Sequence, residues 1–374
     1  MRITDLEKCI DGEQVRVRAM VRWENCDQPD REIFIATEGQ FTEDIAPGPE
    51  AFLAGVLIPA LHFRERRIAI NEAVCPVFLE GLSFVMGLMA HWSDGQMSPL
   101  NLDVERRPRP LYSSDDRRCG LFLSGGIDSL ATLRCNHLRY PPGHPYRVQD
   151  CLMVHGFDIG GVIERGAKYH VFERARSHMA AVAEDAGVTL VPVYTNIRHL
   201  CDHRELWLNR FFGAVLAAVG HAFARRLARV NVAASYDIPN LVPCGSHPLL
   251  DPAYGSAELQ IRHCDAELSR VDKLRMIAEW PVALDHFRVC LANVPDRLNC
   301  GRCEKCVRTM CGLAAIGALN KSGAFVENDV DPLLFENFKI TIRHREPFYE
   351  ELLGPLREQG RHDLADLIER RLAE

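Results

Sequence analysis

The sequence predicts an α/β protein: a doubly wound parallel sheet with an N-terminal mixed α/β module and a C-terminal helical region. Between residues 119 and 234, apolar strand-like runs alternate with helical stretches, a pattern typical of a parallel sheet covered on both faces. The first 110 residues instead show short segments of other patterns, and no regular strand is predicted beyond about residue 245. We therefore expect two domains, at 1–110 and 111–374.

The elements of the N-terminal module are predicted from the alternation of apolar and polar residues and from continuous apolar runs. Its strands are expected at 14–22, 32–37, 67–70 and 100–105, and its helices at 49–61 and 78–92. No chemical motif is found in it. The Pro- and Arg-rich segment 106–118 follows. We interpret this segment as a solvated linker, the alternative being a basic patch for phosphate or for a partner.

The remaining elements follow in alternation. Strands are expected at 119–123, 150–155, 188–193 and 229–234, and helices at 127–139, 171–186 and 211–228. Three more helices are expected at 267–279, 304–316 and 361–373. Because the strands alternate with helices, the predicted sheet is parallel and its ligands are expected at the carboxyl ends of the strands.

Composition excludes several classes of protein. The chain has 374 residues, of which 47% are apolar and 25% charged, the range of ordinary globular proteins rather than disordered, collagen-like or coiled-coil chains. A net charge of −7 argues against nucleic acid as a partner. No apolar run is long enough to span a membrane, and the first residues do not resemble a signal peptide, so we expect a cytoplasmic protein.

The basic residues are almost all arginine. We attribute the excess of arginine to the composition of the genome. Lysine chemistry is thereby confined to six positions: Lys8, Lys168, Lys273, Lys305, Lys321 and Lys339.

The sharpest motif is Ser-Gly-Gly-Ile-Asp-Ser at 124–129, between a predicted strand and a predicted helix. Glycines there allow a tight turn, and a helix N-terminus offers unpaired N–H groups to an anion. A plain strand–helix turn is the alternative. The Walker pattern needs a lysine after its last glycine and the dinucleotide pattern needs a third glycine, and neither is present.

Three of the fourteen cysteines are clustered, as Cys300-x2-Cys303-x2-Cys306, and Cys290 precedes them by ten residues. A disulfide framework is not expected in the cytosol. Four thiolates at this spacing favour a tetrahedral zinc site. An iron–sulfur cluster or simple buried thiols are the alternatives, and Cys311 could replace Cys290 as a ligand.

The loop 124–129 and its strand–helix context resemble the pyrophosphate loop of the PP-loop ATP pyrophosphatase superfamily, whose fold is that of the adenine nucleotide alpha-hydrolases. The resemblance implies that ATP and Mg²⁺ bind here, with Asp128 near the Mg²⁺ ion. It also implies that the end of the second strand lies near adenine. The cofactor-binding residues implied are Ser124, Gly125, Gly126, Ile127, Asp128, Ser129, His155, Gly156, Phe157 and Asp158.

The loop together with the cysteine pattern resembles the 7-cyano-7-deazaguanine synthase (QueC) family, in which zinc is structural. Segment 268–274 is similar to that family's Thr-Lys-Ala-Glu-Ile-Val segment, with Arg270 in place of the lysine, so Arg270 or Lys273 is the implied catalytic cation. The implied catalytic residues are Asp128, Ser129, Arg270 and Lys273, and the zinc ligands Cys290, Cys300, Cys303 and Cys306. The resemblance covers roughly 115–320 and departs at 243–252.

This resemblance implies an AMP- and pyrophosphate-forming ligase that adenylates a carboxylate on a 7-deazaguanine-like substrate and transfers it to ammonia or an amine. Some members of the QueC-like family, in bacterial anti-phage systems, join a deazaguanine to a protein amine, so the resemblance also implies a protein amine as a possible acceptor. The alternatives are a PP-loop sulfurtransferase acting on tRNA or a small molecule, and an inactive nucleotide-binding adaptor. Residues 1–110 are expected to recruit a protein partner or acceptor, or else to be structural or to form a homodimer.

Overall fold

A single sheet of ten strands runs through the part of the chain that the structure describes. The structure is a computed structural model that describes residues 1–374 except 113–116, 158, 160, 163–165, 167, 291 and 342–343. The strands are Arg2–Asp11 (β1), Gln14–Arg22 (β2), Arg31–Glu38 (β3), Arg67–Ile70 (β4), Asn101–Asp103 (β5), Arg118–Phe122 (β6), Val148–His155 (β7), Thr189–Thr195 (β8), Leu227–Ala233 (β9) and Gln260–Cys264 (β10). Their order across the sheet is β10-β9-β6-β7-β8-β3-β2-β1-β4-β5.

Helices pack on both faces of this sheet. They are Pro49–His62 (α1), Pro76–Trp92 (α2), Ile127–Arg139 (α3), Tyr169–Ala186 (α4), Arg204–Leu206 (α5), Phe212–Ala222 (α6), Arg270–Ala278 (α7), Pro281–His286 (α8), Glu304–Ala315 (α9), Glu346–Glu350 (α10), Leu353–Glu358 (α11) and His362–Leu372 (α12). One apolar core joins the sheet to α1, α2 and α6. A second core joins it to α3, α4, α7, α8, α9 and the C-terminal helices.

The strand β6 lies where the chain reverses its direction across the sheet. Strands β10, β9, β6, β7 and β8 are mutually parallel. From β6 the chain runs outward through β7 to β8, and it then returns to the other side of β6 to form β9 and β10. In open α/β sheets, ligands bind beyond the carboxyl ends of the strands at such a reversal. The loop after β6 therefore occupies the favoured position for a ligand.

The N-terminal strands belong to the same sheet. Strand β3 pairs with β8 in antiparallel register, with Ile35 opposite Thr195. The side chain of Asn196 accepts from the Phe34 amide at 2.9 Å and donates to the Glu32 carbonyl at 2.9 Å. Residues 1–110 and the later strands thus share backbone pairing. The domain boundary near residue 110 stays a prediction.

The predicted α/β class is confirmed, and the sheet is mostly parallel. Two expectations of the sequence analysis are wrong. Regular strands do not stop at residue 245, because Gln260–Cys264 forms β10 beside β9. The helix expected over 211–228 is shorter, since α6 ends at Ala222 and a π-helical turn precedes it at Trp207–Phe211. Short edge strands depend on their neighbours for pairing, so the local pattern predicts them poorly.

The segment interpreted as a solvated linker is anchored at Arg107. The guanidinium of Arg107 pairs with Glu50 at 2.9 Å and with Glu258 at 2.6 Å. Its side chain is only 10% exposed. Because isolated charges are costly to bury, this three-residue group holds the segment against the body of the protein. Residues 113–116 of the segment lie outside the described residues.

Among the described helices, none combines the length and apolar character needed to cross a membrane.

Candidate functional site

The loop 124–129 connects β6 to α3 and is braced by its own serines. The Ser124 hydroxyl accepts from the Gly126 amide at 3.2 Å and lies 3.3 Å from the hydroxyl of Ser129. Ser129 donates to the Gly126 carbonyl at 3.0 Å. Gly126 is the N-cap residue of α3 and Ile127 its first residue, and no side chain caps this end. The first-turn N–H groups of α3 are therefore not used by a side-chain cap, which suits an anion.

Gly125 allows the loop to pass close to its neighbours. Its φ is +77°, and a Cβ atom there would lie 3.1 Å from the sulfur of Met179. The carbonyl of Gly125 accepts a 2.7 Å hydrogen bond from the backbone amide of Arg288. The positive φ and the close Met179 sulfur favour glycine at this position, and the hydrogen bond ties the loop to the segment before Cys290.

Asp128, in the first turn of α3, lies against two cations. Its Oδ1 is 2.7 Å from Arg270 Nη1 and 3.7 Å from Lys273 Nζ. Burial opposes ionisation of Asp128, but Arg270 and then Lys273 outweigh burial and lower the pKa of this carboxyl. The carboxylate stays charged at neutral pH, and it holds both cations beside the loop.

The two cations differ in accessibility. Lys273 Nζ also donates to the Ala234 carbonyl at 2.6 Å, directly after β9, and the lysine side chain is 1% exposed. Arg270 is 17% exposed and lines a cavity. A capping box between Ser269 and Asp272 places both cations by fixing the start of α7. Arg270 is therefore the cation better placed to meet a ligand, and Lys273 ties α7 to the end of β9.

The residues expected near adenine lie at the end of β7 and directly after it. His155 is buried and stacks on Tyr169, with ring centroids 4.6 Å apart. Gly156 has φ +108°, and a Cβ atom there would lie 2.2 Å from the Thr195 carbonyl oxygen. Phe157 packs edge-on against Trp207 at 4.9 Å. These three residues lie at the same edge of the sheet as loop 124–129, whereas Asp158 lies outside the described residues.

The four cysteines at 290, 300, 303 and 306 meet in one cluster. Their Sγ atoms all lie within 4.8 Å of one another. Cys300 is 3.8 Å from Cys306, and Cys303 is 3.9 Å from Cys290. Hydrogen bonds from the other thiols, first from Cys303 and then from Cys306, lower the pKa of the Cys290 thiol.

The size of the cluster fits a single metal ion. Four sulfurs bonded to zinc at about 2.3 Å in a tetrahedron would lie about 3.8 Å apart, close to the two separations above. A four-iron cluster would hold its thiolates farther apart, because iron and sulfide lie between them. The cluster could therefore bind a metal such as zinc. Cys311 lies outside the cluster, so the alternative in which it replaces Cys290 is not adopted by the structure.

Asn299, which the sequence analysis missed, secures the segment that carries Cys290. Its buried side chain accepts from the amides of Val289 at 2.8 Å and Cys290 at 3.3 Å, and it donates to the Phe287 carbonyl at 2.9 Å. Segment 287–290 is thus held to the cysteine turn at one end, while Arg288 bonds to Gly125. An asparagine beside a cysteine carries no signal of this role in the sequence.

The sequence analysis also did not predict a cleft that lies beside Arg270. An inner cavity of about 60 Å³ is lined by Ser235, Asp237, Asn240, Ser269, Arg270, Pro347, Phe348 and Glu351. An outer cavity of about 370 Å³ is lined by Pro239, Asn240, Leu241, Val242, His344, Glu346 and Pro347. The two cavities share Asn240 and Pro347. Residues 344–351 come from the C-terminal tail, which is distant in sequence from the other lining residues.

Comparison of the chain with protein-family models, with curated proteins and with solved structures finds no match.

Proposed function

We propose that the protein is an ATP-dependent ligase of the PP-loop type, similar to the QueC-like enzymes. In this proposal it adenylates a carboxylate on a 7-deazaguanine-like substrate, releases pyrophosphate and transfers the acyl group to ammonia or an amine. The sheet is doubly wound, loop 124–129 holds the pyrophosphate of ATP, and the cysteine cluster holds a structural zinc ion.

One observation carries the proposal. The Ser-Gly-Gly-Ile-Asp-Ser loop lies at the carboxyl end of β6, beside the reversal of strand order, and Arg270 and Lys273 converge there on Asp128. The negative charges of a nucleoside triphosphate suit this loop, which offers an uncapped helix N-terminus, two hydroxyls and two cations. The bound Mg²⁺ ion would be held by Asp128 and the phosphates, and it would neutralise charge on the departing pyrophosphate.

The proposed chemistry uses this charge distribution. A substrate carboxylate oxygen attacks the α-phosphorus of ATP, the bond to the β-phosphate oxygen breaks, and pyrophosphate leaves. Negative charge develops on the leaving group, and Arg270 stabilises it while the helix N-terminus binds the phosphates. The acyl adenylate then has AMP as its leaving group, which a free carboxylate lacks.

Carboxylate-dependent exchange of labelled pyrophosphate into ATP tests this proposal. We expect exchange with a 7-deazaguanine carboxylate and formation of AMP. Arg270→Met should lower exchange about 100-fold or more. Arg275→Met is the matched control, because Arg275 lies on α7 with 52% of its side chain exposed. Formation of ADP and phosphate, or full exchange by R270M, would contradict the proposal.

No specific observation favours the sulfurtransferase alternative, which needs a reactive thiolate. Burial instead raises the pKa of several cysteines outside the cluster: Cys119 to about 11, Cys135 to about 11, Cys264 to about 12 and Cys311 to about 12. The adaptor alternative predicts ATP binding with no turnover, so the same exchange assay separates it from the ligase.

A further inference from the structure

Glu351 places a carboxylate in the inner cavity beside Arg270. The residue follows α10, and its Oε2 accepts a 3.1 Å hydrogen bond from the amide of Val271, at the start of α7. Its Oε1 is buried and has no partner in hydrogen-bond geometry within the described structure. One oxygen thus anchors the side chain, and the other is left to interact with what enters the cavity.

The charged groups around Glu351 come from three elements. Arg270 lies on α7, and Asp237 follows β9. On α9, Arg308 stacks on the ring of Phe348 at 4.7 Å, and Glu304 accepts from the Tyr349 hydroxyl at 3.1 Å. Arg270 and Asp237 line the inner cavity together with Glu351 and are its electrostatic neighbours.

Burial raises the pKa of Glu351, and Asp237 adds to the rise. The Val271 amide, the Ser269 hydroxyl and Arg270 oppose it only in part. A carboxylate with a raised pKa is a stronger base than an exposed one, so it accepts a proton more readily. This is the property that the second half of the proposed reaction requires, because an amine reaches the enzyme as an ammonium ion, which cannot attack carbon.

We propose that Glu351 is the general base for the incoming amine, which reaches the inner cavity through the outer one; this inference rests on the proposed ligase function. The ammonium proton passes to Oε1 of Glu351. The freed lone pair forms a C–N bond at the acyl carbon, the bond from that carbon to the phosphate oxygen breaks, and AMP leaves. The second nitrogen proton departs with the phosphate of AMP, so an amide, AMP and a protonated Glu351 result.

The cavity chemistry supports an amine rather than a second anion as the occupant. The carboxylates of Asp237 and Glu351 line the inner cavity and that of Glu346 lines the outer one, against the single guanidinium of Arg270. Arg270 offsets only one of these three carboxylates, and His344 also lines the outer cavity. The net charge that remains attracts a cation.

The test is Glu351→Gln, which keeps a carbonyl oxygen for the Val271 amide and removes only the basic oxygen. We expect E351Q to form the adenylate, seen as pyrophosphate exchange, and to transfer it to ammonium or methylamine about 100-fold more slowly than the wild type. Hydroxylamine, whose nitrogen is unprotonated at neutral pH, should restore transfer. In E351Q, the plot of transfer rate against pH should also lack the increase that deprotonation of Glu351 causes in the wild type.

Glu350→Gln is the matched control, because Glu350 is the exposed neighbour and should leave both steps unchanged. Transfer to methylamine at the wild-type rate by E351Q would overturn the inference. So would equal losses with methylamine and hydroxylamine at an unchanged pH profile, which indicate a structural role. If the wild-type protein shows no carboxylate-dependent exchange, the ligase proposal itself fails, and the two failures are thereby distinguished.

Discussion

The backbone amide of Arg288 donates a 2.7 Å hydrogen bond to the carbonyl oxygen of Gly125. This bond joins the segment before Cys290 to the loop after β6. Asn299 bonds to Val289 and Cys290 on the same segment. The cysteine cluster is therefore coupled mechanically to the proposed phosphate loop, although the two are more than 160 residues apart in the sequence.

Loss of the metal should weaken the loop as well as the cluster. We expect about one zinc ion per chain, with four sulfur ligands at about 2.3 Å by X-ray absorption. Cys303→Ser should lose the metal, lower the melting temperature and weaken ATP binding, because metal binding is coupled to folding. Cys311→Ala is the control, since Cys311 lies on α9, close to the cysteine turn in sequence but outside the cluster. Metal loss from the control, or full metal content in C303S, would contradict this assignment.

Gly156 should tolerate no side chain. Gly156→Ala places a Cβ atom 2.2 Å from the Thr195 carbonyl oxygen, at the end of β8. Gly143→Ala is the matched control, because Gly143 also has a positive φ of +83° but nothing within 4 Å of the added atom. In the control, the free energy of unfolding should fall by about 1–2 kcal/mol because of the left-handed conformation alone. In G156A it should fall by about 2 kcal/mol more. Urea unfolding measures both, and equal costs would show that the close approach is absent.

The His178–His286 pair should make stability depend on pH. The two Nδ1 atoms lie 2.8 Å apart, so one ring must donate and the other accept, which two imidazolium rings cannot do. Burial, then His286 and Arg174, lowers the pKa of His178 from its ordinary value of 6.5. The folded state binds fewer protons than the unfolded state in this window, so stability is fully present above pH 6.5 and is lost as the pH falls through the lowered pKa.

Melting temperatures between about pH 5 and pH 7.5 measure this effect around the usual histidine pKa. His286→Asn should flatten the slope of melting temperature against pH, because the close histidine pair no longer exists. His362→Asn, at an exposed position at the start of α12, is the control and should keep the slope. A slope unchanged by H286N would assign the pH dependence to other groups.

Removal of residues 1–105 should make the protein insoluble rather than only unable to recruit a partner. Strand β8 would lose the pairing with β3, and the Pro192 carbonyl would lose the hydrogen bond from the Thr37 hydroxyl, which is 2.7 Å long. An unprotected strand edge of this kind favours aggregation. Co-expression of fragments 1–110 and 111–374 should restore soluble protein. A truncated chain that is soluble and unfolds cooperatively by itself would contradict this prediction.

The sequence alone determined the features that depend on neighbouring residues. The turn at Gly125 and Gly126, the helix that starts at Ile127 and the cysteine spacing from Cys300 to Cys306 are local, because backbone freedom and close ligand spacing are written in adjacent positions. The alternation of strands and helices after residue 118 likewise indicated the α/β class.

Only the tertiary structure decided which distant residues meet. Cys290 rather than Cys311 joins the cluster because Asn299 folds its segment back onto the cysteine turn. Strand β10 exists because β9 supplies its partner, and β3 extends the sheet because β8 leaves an edge to pair. Glu351 reaches Arg270 because the C-terminal tail packs on α7. Such contacts depend on packing between segments far apart in the chain, where no local pattern records the partner.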